Sequence, residues 1–160
     1  MLVSIRSTVK AVIIRENKVL LNKCVRHGEI YYNLPGGGQD KYEDMESAVR
    51  REVMEETGYA VKDMTFAGLY EDIFIDDKLN NFDSPYSHRI YHIFAAKIEE
   101  NVKGEATGFD ADMEKSVWVD VSEIKSLPKV FPERLSEVVD NIMNGGAPMY
   151  LGTNFTENLK

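Results

Sequence analysis

Between Leu34 and Tyr59 the chain reads LPGGGQDKYEDMESAVRREVMEETGY, and this stretch limits the possible folds more than any other. Three consecutive glycines follow the short strand candidate EIYYNL. They lead into a helix expected over 44–57, with acidic residues in its first turn and Gly58 where a C-terminal cap belongs. On a helical projection Met45, Ala48, Val49 and Val53 form one apolar face. Glu52, Glu55 and Glu56 overlap or flank that face, whereas Ser47, Arg50 and Met54 point away. An ordinary solvated acidic face would lie opposite the core. Carboxylates crowded onto the core-facing arc repel one another and are costly to desolvate unless a cation sits among them. An oxygen-only cluster that leaves sites open for water and phosphate suits magnesium, with manganese a chemically acceptable substitute. The glycines let backbone approach a ligand closely, so Gly37 and Gly38 are candidate substrate contacts and the Gly36 carbonyl a candidate metal donor.

The rest of the chain surrounds this segment with strands. STVKAVIIREN and KVLLNKCV read as a hairpin turning at Glu16–Asn17, MTFAGLYEDIFI and SHRIYHIFAAKI as long strands, and SVWVDV as a further one. A polar loop over 76–87 separates the two long strands, FPERLSEVVDNIMN reads as a second helix, and the tail 145–160 carries no clear signal. This order predicts an α/β fold, a mixed sheet with helices packed on it. A length of 160 residues is that of one domain, 1–160. The formal net charge of −8 argues against a surface for duplex nucleic acid, which needs a basic stripe. It leaves room for a small phosphate-bearing ligand, because a bound cation reverses the local sign. Cys24 is the only cysteine, so no intrachain disulfide forms and a reducing compartment is natural. Arg6, Lys10 and Arg15 interrupt the apolar N-terminus, and no apolar run is long enough for a membrane span. The expected location is the cytoplasm.

Gly37, Glu43 and the run REVMEETGY from Arg51 to Tyr59, at these spacings, resemble the Nudix box of the Nudix hydrolase superfamily, the MutT-like proteins. Arg26 followed by EIYYNLPGG, and later EKSVWVDVSEI, are similar to flanking features of the family, with Tyr32 where tryptophan often stands. Tyr42 and Tyr59 depart from the usual glycine and aliphatic residue and bear on loop shape rather than on ligands. The resemblance implies an α/β/α sandwich with a mixed β-sheet between helices, and hydrolysis of a nucleoside diphosphate linked to another moiety. It implies that Glu52, Glu55 and Glu56 hold metal ions, and that Glu52 or a neighbouring carboxylate orients the attacking water. Arg51 would brace a box glutamate, and Glu43 would bind metal through water or support the loop. The family's distal acidic ligand would come from Glu114, Asp112 or Asp110, with Glu114 taken first. Arg26 would hold a substrate phosphate through its planar fork. Homodimers are frequent in the family.

Other residues carry plainer expectations. His88 and His92 read as half-buried structural residues, Trp118 as core, and Cys24 as a buried thiol without an activating base. A base-stacking group is sought among Tyr31, Tyr32, Phe74, Phe82 and Tyr86. Ile75 and Asp76 match neither the proline nor the tyrosine that marks two Nudix subfamilies, so the substrate is left open. Two enzymes share the box, an RNA 5′-end pyrophosphohydrolase and a diphosphate isomerase. The acidic charge weighs against the first, and the lack of a motif around Cys24 against the second. A nucleotide-sensing module without turnover is the alternative from another class, and intact box glutamates count against it.

Overall fold

Residues 4–74 and 86–156 are described by the computed structural model. β1 (Ser4–Arg15) and β2 (Lys18–Arg26) form the expected hairpin, with Glu16 and Asn17 both at positive φ. β3 (Glu29–Asn33) continues antiparallel to β2. The chain then passes through the glycine loop into α1 (Met45–Thr57). β4 (Tyr59–Phe74), β5 (Tyr86–Lys103) and β6 (Met113–Asp120) follow, then a 3-10 helix at Val121–Ser126, β7 (Val130–Phe131), α2 (Leu135–Met143) and β8 (Met149–Thr156). The sheet runs in the order β7-β3-β2-β1-β5-β4-β8, with β6 also paired to β2. Parallel pairs (β1·β5, β4·β8, β3·β7) mix with antiparallel ones.

Alternation along β1 sends side chains to two different helices. Val9, Ala11 and Ile13 pack with Ala48, Val49 and Val53 of α1, whereas Val12 joins Leu135, Val138 and Val139 of α2. Each fully buried valine contributes on the order of 1.5–3 kcal/mol to holding its helix against the sheet. The ends of α1 are where its sequence puts them. The Asp44 side chain accepts the Ser47 amide at 2.8 Å, and Gly58 closes the helix in the left-handed region at φ 75°.

Three expectations shift. The second helix begins at Leu135, not Phe131, because the backbone of Phe131 pairs with Asn33 of β3. The tail is not featureless: Met149–Thr156 adds β8 parallel to β4. Both long strands extend beyond their expected limits, and irregularities between Lys62 and Thr65 absorb the extra length. The expectations for Ile75, Asp76 and Phe82 lie outside the described residues.

The glycine loop is stitched to β1. Val9 N donates to Gly37 O and Ala11 N to Pro35 O, both at 2.9 Å. Gly36 sits at φ 133°, and a Cβ there would lie 2.2 Å from Val9 O. Gly36→Ala is therefore expected to destabilise the fold by more than about 2 kcal/mol, read as a lower urea midpoint at unchanged m-value.

Candidate active site

The glycine loop, α1 and the facing strands bound a cleft of about 720 Å³. Glu52 and Glu56 line it, whereas Glu43, Glu55 and Arg51 do not, and Arg51 organises the junction of loop and helix behind it. Its Nε and Nη2 donate to the two oxygens of Glu43 at 2.9 and 2.8 Å, and its Nη1 donates to Glu52 Oε1 at 2.7 Å. Nη2 also donates to Gly38 O at 3.0 Å, and Nη1 reaches Glu55 Oε2 at 3.5 Å. One guanidinium thus ties the loop to three glutamates. Hydrogen bonding to Arg51, and then the Asp40 amide, hold the Glu43 carboxyl down at about 2. The same bonds to Glu43 push the Arg51 pKa well above its ordinary value. The Glu52 carboxylate lies against Gly37, where any Cβ would come within 2.6 Å of it. Loop and helix approach this closely only because that residue is glycine.

Glu56 turns inward and is 5% exposed. Its Oε2 accepts from Asn22 Nδ2 at 2.7 Å and from the Gly36 amide at 2.9 Å. Burial pushes its pKa up to about 7, against the lowering effects of Lys10 and of those two hydrogen bonds; Asp110 adds to the rise. Lys10, itself buried, donates to Gly36 O at 2.6 Å and Leu34 O at 3.1 Å. The Gly36 carbonyl, expected as a metal donor, is thereby engaged by an ammonium. Lys10 and Asn22 were missed in the sequence. The one available signal was a lysine inside the apolar run TVKAVII, on a strand that proves buried on both faces.

The other candidates separate in space. Asp110 and Asp112 line the cleft. Glu114, taken first as the distal acid, is 47% exposed and pairs with Lys23 at 2.9 Å instead of lining the cleft. Arg26 lines the cleft, with Nε donating to Asp112 Oδ2 at 2.7 Å. Tyr31 and Phe74 line it too, whereas Tyr32, His88 and His92 do not. His88 Nε2 lies 2.9 Å from Glu71, and His92 Nδ1 lies 3.3 Å from Thr8 O. Cys24 is buried against the cleft, and desolvation raises its pKa. Trp118 is only partly buried, with the Arg15 guanidinium 4.6 Å from its ring centre.

Among the described residues no group of three or more histidine, cysteine or carboxylate side chains is placed to hold a metal ion. In kind, the donors nevertheless fit a hard divalent cation. Glu52, Glu55 and Glu56 offer oxygen alone. Burial above all, with Asp110 adding to it, holds Glu56 up at about 7, and a bound cation would favour its charged form.

The fold is α/β, a mixed sheet with helices in which a glycine loop feeds a glutamate-bearing helix, and its match to a family model makes the protein a hydrolase of phosphoric anhydride bonds. The NUDIX domain model matches residues 4–142, and the chain belongs to the Nudix hydrolase family. Such enzymes act on small nucleotide derivatives and generally need a divalent metal. Among solved structures the chain is similar to a MutT protein from Bacillus halodurans (22% identity, TM-score 0.71, covering 96% of this chain and 91% of that one). It is also similar to a MutT NUDIX hydrolase from Burkholderia pseudomallei (25%, 0.62, 83% and 95%). An ADP-ribose pyrophosphatase from Streptococcus suis shares the fold at 17% identity (TM-score 0.59, 94% and 98%). No curated protein matches the chain. None of the described helices is long and apolar enough to cross a membrane.

Proposed function

We propose that the chain is a magnesium-dependent pyrophosphohydrolase that cleaves a nucleoside diphosphate linked to another moiety. The observation that carries this reading is the network by which Arg51 ties Glu43 to Glu52 and the Gly38 carbonyl, of which Glu52 and Gly38 line a cleft large enough for a nucleotide. Glu52, Glu55 and Glu56 would hold the cation, with Asp110 rather than Glu114 as the distal acid, since Asp110 lines the cleft and acts electrostatically on Glu56 whereas Glu114 does neither. When bound, the cation supplies neutralisation of the diphosphate oxygens and acidification of water.

The chain's own residues do the rest. Gly37 and Gly38 bring loop backbone up to the diphosphate, and Arg51 fixes the Glu52 carboxylate, which orients the attacking water in line with the scissile bond. Arg26, held by Asp112, lines the cleft and is the candidate to meet a substrate phosphate. The products are a nucleoside monophosphate and the other phosphorylated part. The test is a panel of nucleoside diphosphate and triphosphate derivatives with magnesium, products being assigned by mass. Chelation is expected to lower turnover by at least about a hundredfold, with magnesium restoring it. A panel in which nothing is cleaved, while nucleotides still bind, replaces this function with nucleotide sensing.

A further inference from the structure

The buried ammonium of Lys10 is used by none of the steps of hydrolysis. Alternation along β1 sends Val9 and Ala11 to α1 and turns Lys10 to the opposite side, where it borders the cleft at 8% exposure. Its ammonium donates to Gly36 O at 2.6 Å and to Leu34 O at 3.1 Å. The Gly36 amide in turn donates to Glu56 Oε2 at 2.9 Å. Gly36 thus stands between a buried ammonium and a buried carboxylate, its carbonyl on one and its N–H on the other. Lys10 also acts on the Glu56 charge itself, favouring the ionised form.

Satisfying the loop does not by itself require a lysine. Two carbonyls need donors, and a neutral amide supplies them at a much lower desolvation cost than an ammonium. Asn22 does as much for Glu56 from β2. What the ammonium adds is a fixed positive charge, and that charge also decides the use of the Gly36 carbonyl. A magnesium ion at about 2.1 Å from Gly36 O would stand roughly 4 Å from the ammonium bonded at 2.6 Å to the same oxygen. A divalent and a monovalent cation repel strongly at that range in a site partly shielded from water. The carbonyl can serve one of them, and the geometry gives it to Lys10.

We propose that Lys10 is a positioning residue that reserves the Gly36 carbonyl and sets a built-in positive charge beside Glu56. Magnesium is then held by carboxylates and water without that carbonyl, and more weakly than the same carboxylates would hold it without Lys10. The proposal rests on the pyrophosphohydrolase reading for the binding of magnesium at Glu56.

The test titrates magnesium alone into the full chain at pH 9, where protons compete least for the carboxylates, and follows binding by calorimetry. Lys10→Gln keeps a donor for the loop carbonyls and removes the charge, whereas Lys10→Met removes both. Each is expected to bind magnesium about tenfold or more tightly than wild type, because a unit positive charge is gone from beside a divalent ion. A lysine that served the loop alone would leave affinity unchanged in Lys10→Gln and weaken it in Lys10→Met, where the loop is loosened. Urea midpoints without metal establish that each variant is folded, and one folded variant is enough for the comparison. Unchanged or weaker binding in either folded variant overturns the proposal, and wild-type hydrolysis that needs magnesium then leaves the hydrolase reading standing. A wild type that binds no magnesium and hydrolyses nothing in the nucleotide panel overturns both.

Discussion

Glu56→Gln is expected to yield a protein that, free of metal at pH 8, is more stable than wild type and has lost its turnover. Glu56 is buried, and its pKa stands at about 7 in the folded protein against an ordinary 4.5. The folded state therefore holds a proton that the unfolded state releases. Below about pH 4.5 both states are protonated and nothing is lost. As pH rises from 4.5 to 7 the unfolded state gains, and above 7 the full penalty of about 3 kcal/mol is present. Glutamine keeps an oxygen for the Gly36 amide and Asn22, carries no charge, and removes the penalty. Urea midpoints in chelator between pH 5 and 8 should fall for wild type and stay flat for the variant. The window begins at pH 5 because Glu43, held down at about 2, acts oppositely: its contribution is complete above its ordinary pKa and is lost as pH falls through 2. Turnover should drop by about a hundredfold or more, since the amide cannot neutralise a cation. A wild-type midpoint that does not move between pH 5 and 8 would show that Glu56 carries no such burden.

How much of this was legible in the sequence depends on how local each signal is. α1 could be read nearly to the residue because its determinants lie within one turn of its ends: Asp44 caps Ser47, and Gly58 takes the left-handed conformation. The Glu16–Asn17 turn was equally local. Arg51 at the glutamates was implied by the motif, but its bond to Gly38 O depends on how the loop folds back over the helix. The fate of Glu56 was not legible. The helical projection put it toward the core, yet its partners, Asn22, Lys10 and the Gly36 amide, come from β2, β1 and the loop. The charge balance expected from a cation alone is shared with Lys10.

Strand register hid the remainder. Asp110, Asp112 and Glu114 look equivalent in sequence, but Met113 starts β6, so Glu114 falls on the strand and meets Lys23 while Asp110 stays in the preceding loop beside Glu56. Likewise Phe131 carries an apolar side chain that suits a helix start, and only the pairing of its backbone with Asn33 makes it a strand residue. β8 was invisible because Gly152 and Thr153 break its alternation; its pairing with β4 supplies what its own sequence lacks.

Arg51→Ala should cost both stability and turnover, and the two losses should separate on adding magnesium. The guanidinium is 27% exposed and its partners Glu43 and Glu52 are 15% exposed. Its removal leaves two partly desolvated carboxylates facing each other and the Gly38 carbonyl without its donor. Breaking a buried pair costs about 3–5 kcal/mol, and partial exposure here brings the expected loss to about 2–3 kcal/mol. Lysine restores the charge but not the fork that spans Glu43 and Glu52 at once, so Arg51→Lys should recover less than half of that stability. Magnesium should raise the urea midpoint of Arg51→Ala more than that of wild type, because a divalent ion replaces the missing charge between the same carboxylates. Turnover should not follow. The ion cannot hold the loop to the helix, and Glu52 loses the bond that fixes its orientation, so kcat stays at least about a hundredfold down at saturating metal. Recovery of both stability and kcat with magnesium would reduce Arg51 to a charge balancer. Equal urea midpoints for wild type and Arg51→Ala without metal would mean that the network seen around Arg51 does not hold the loop in place.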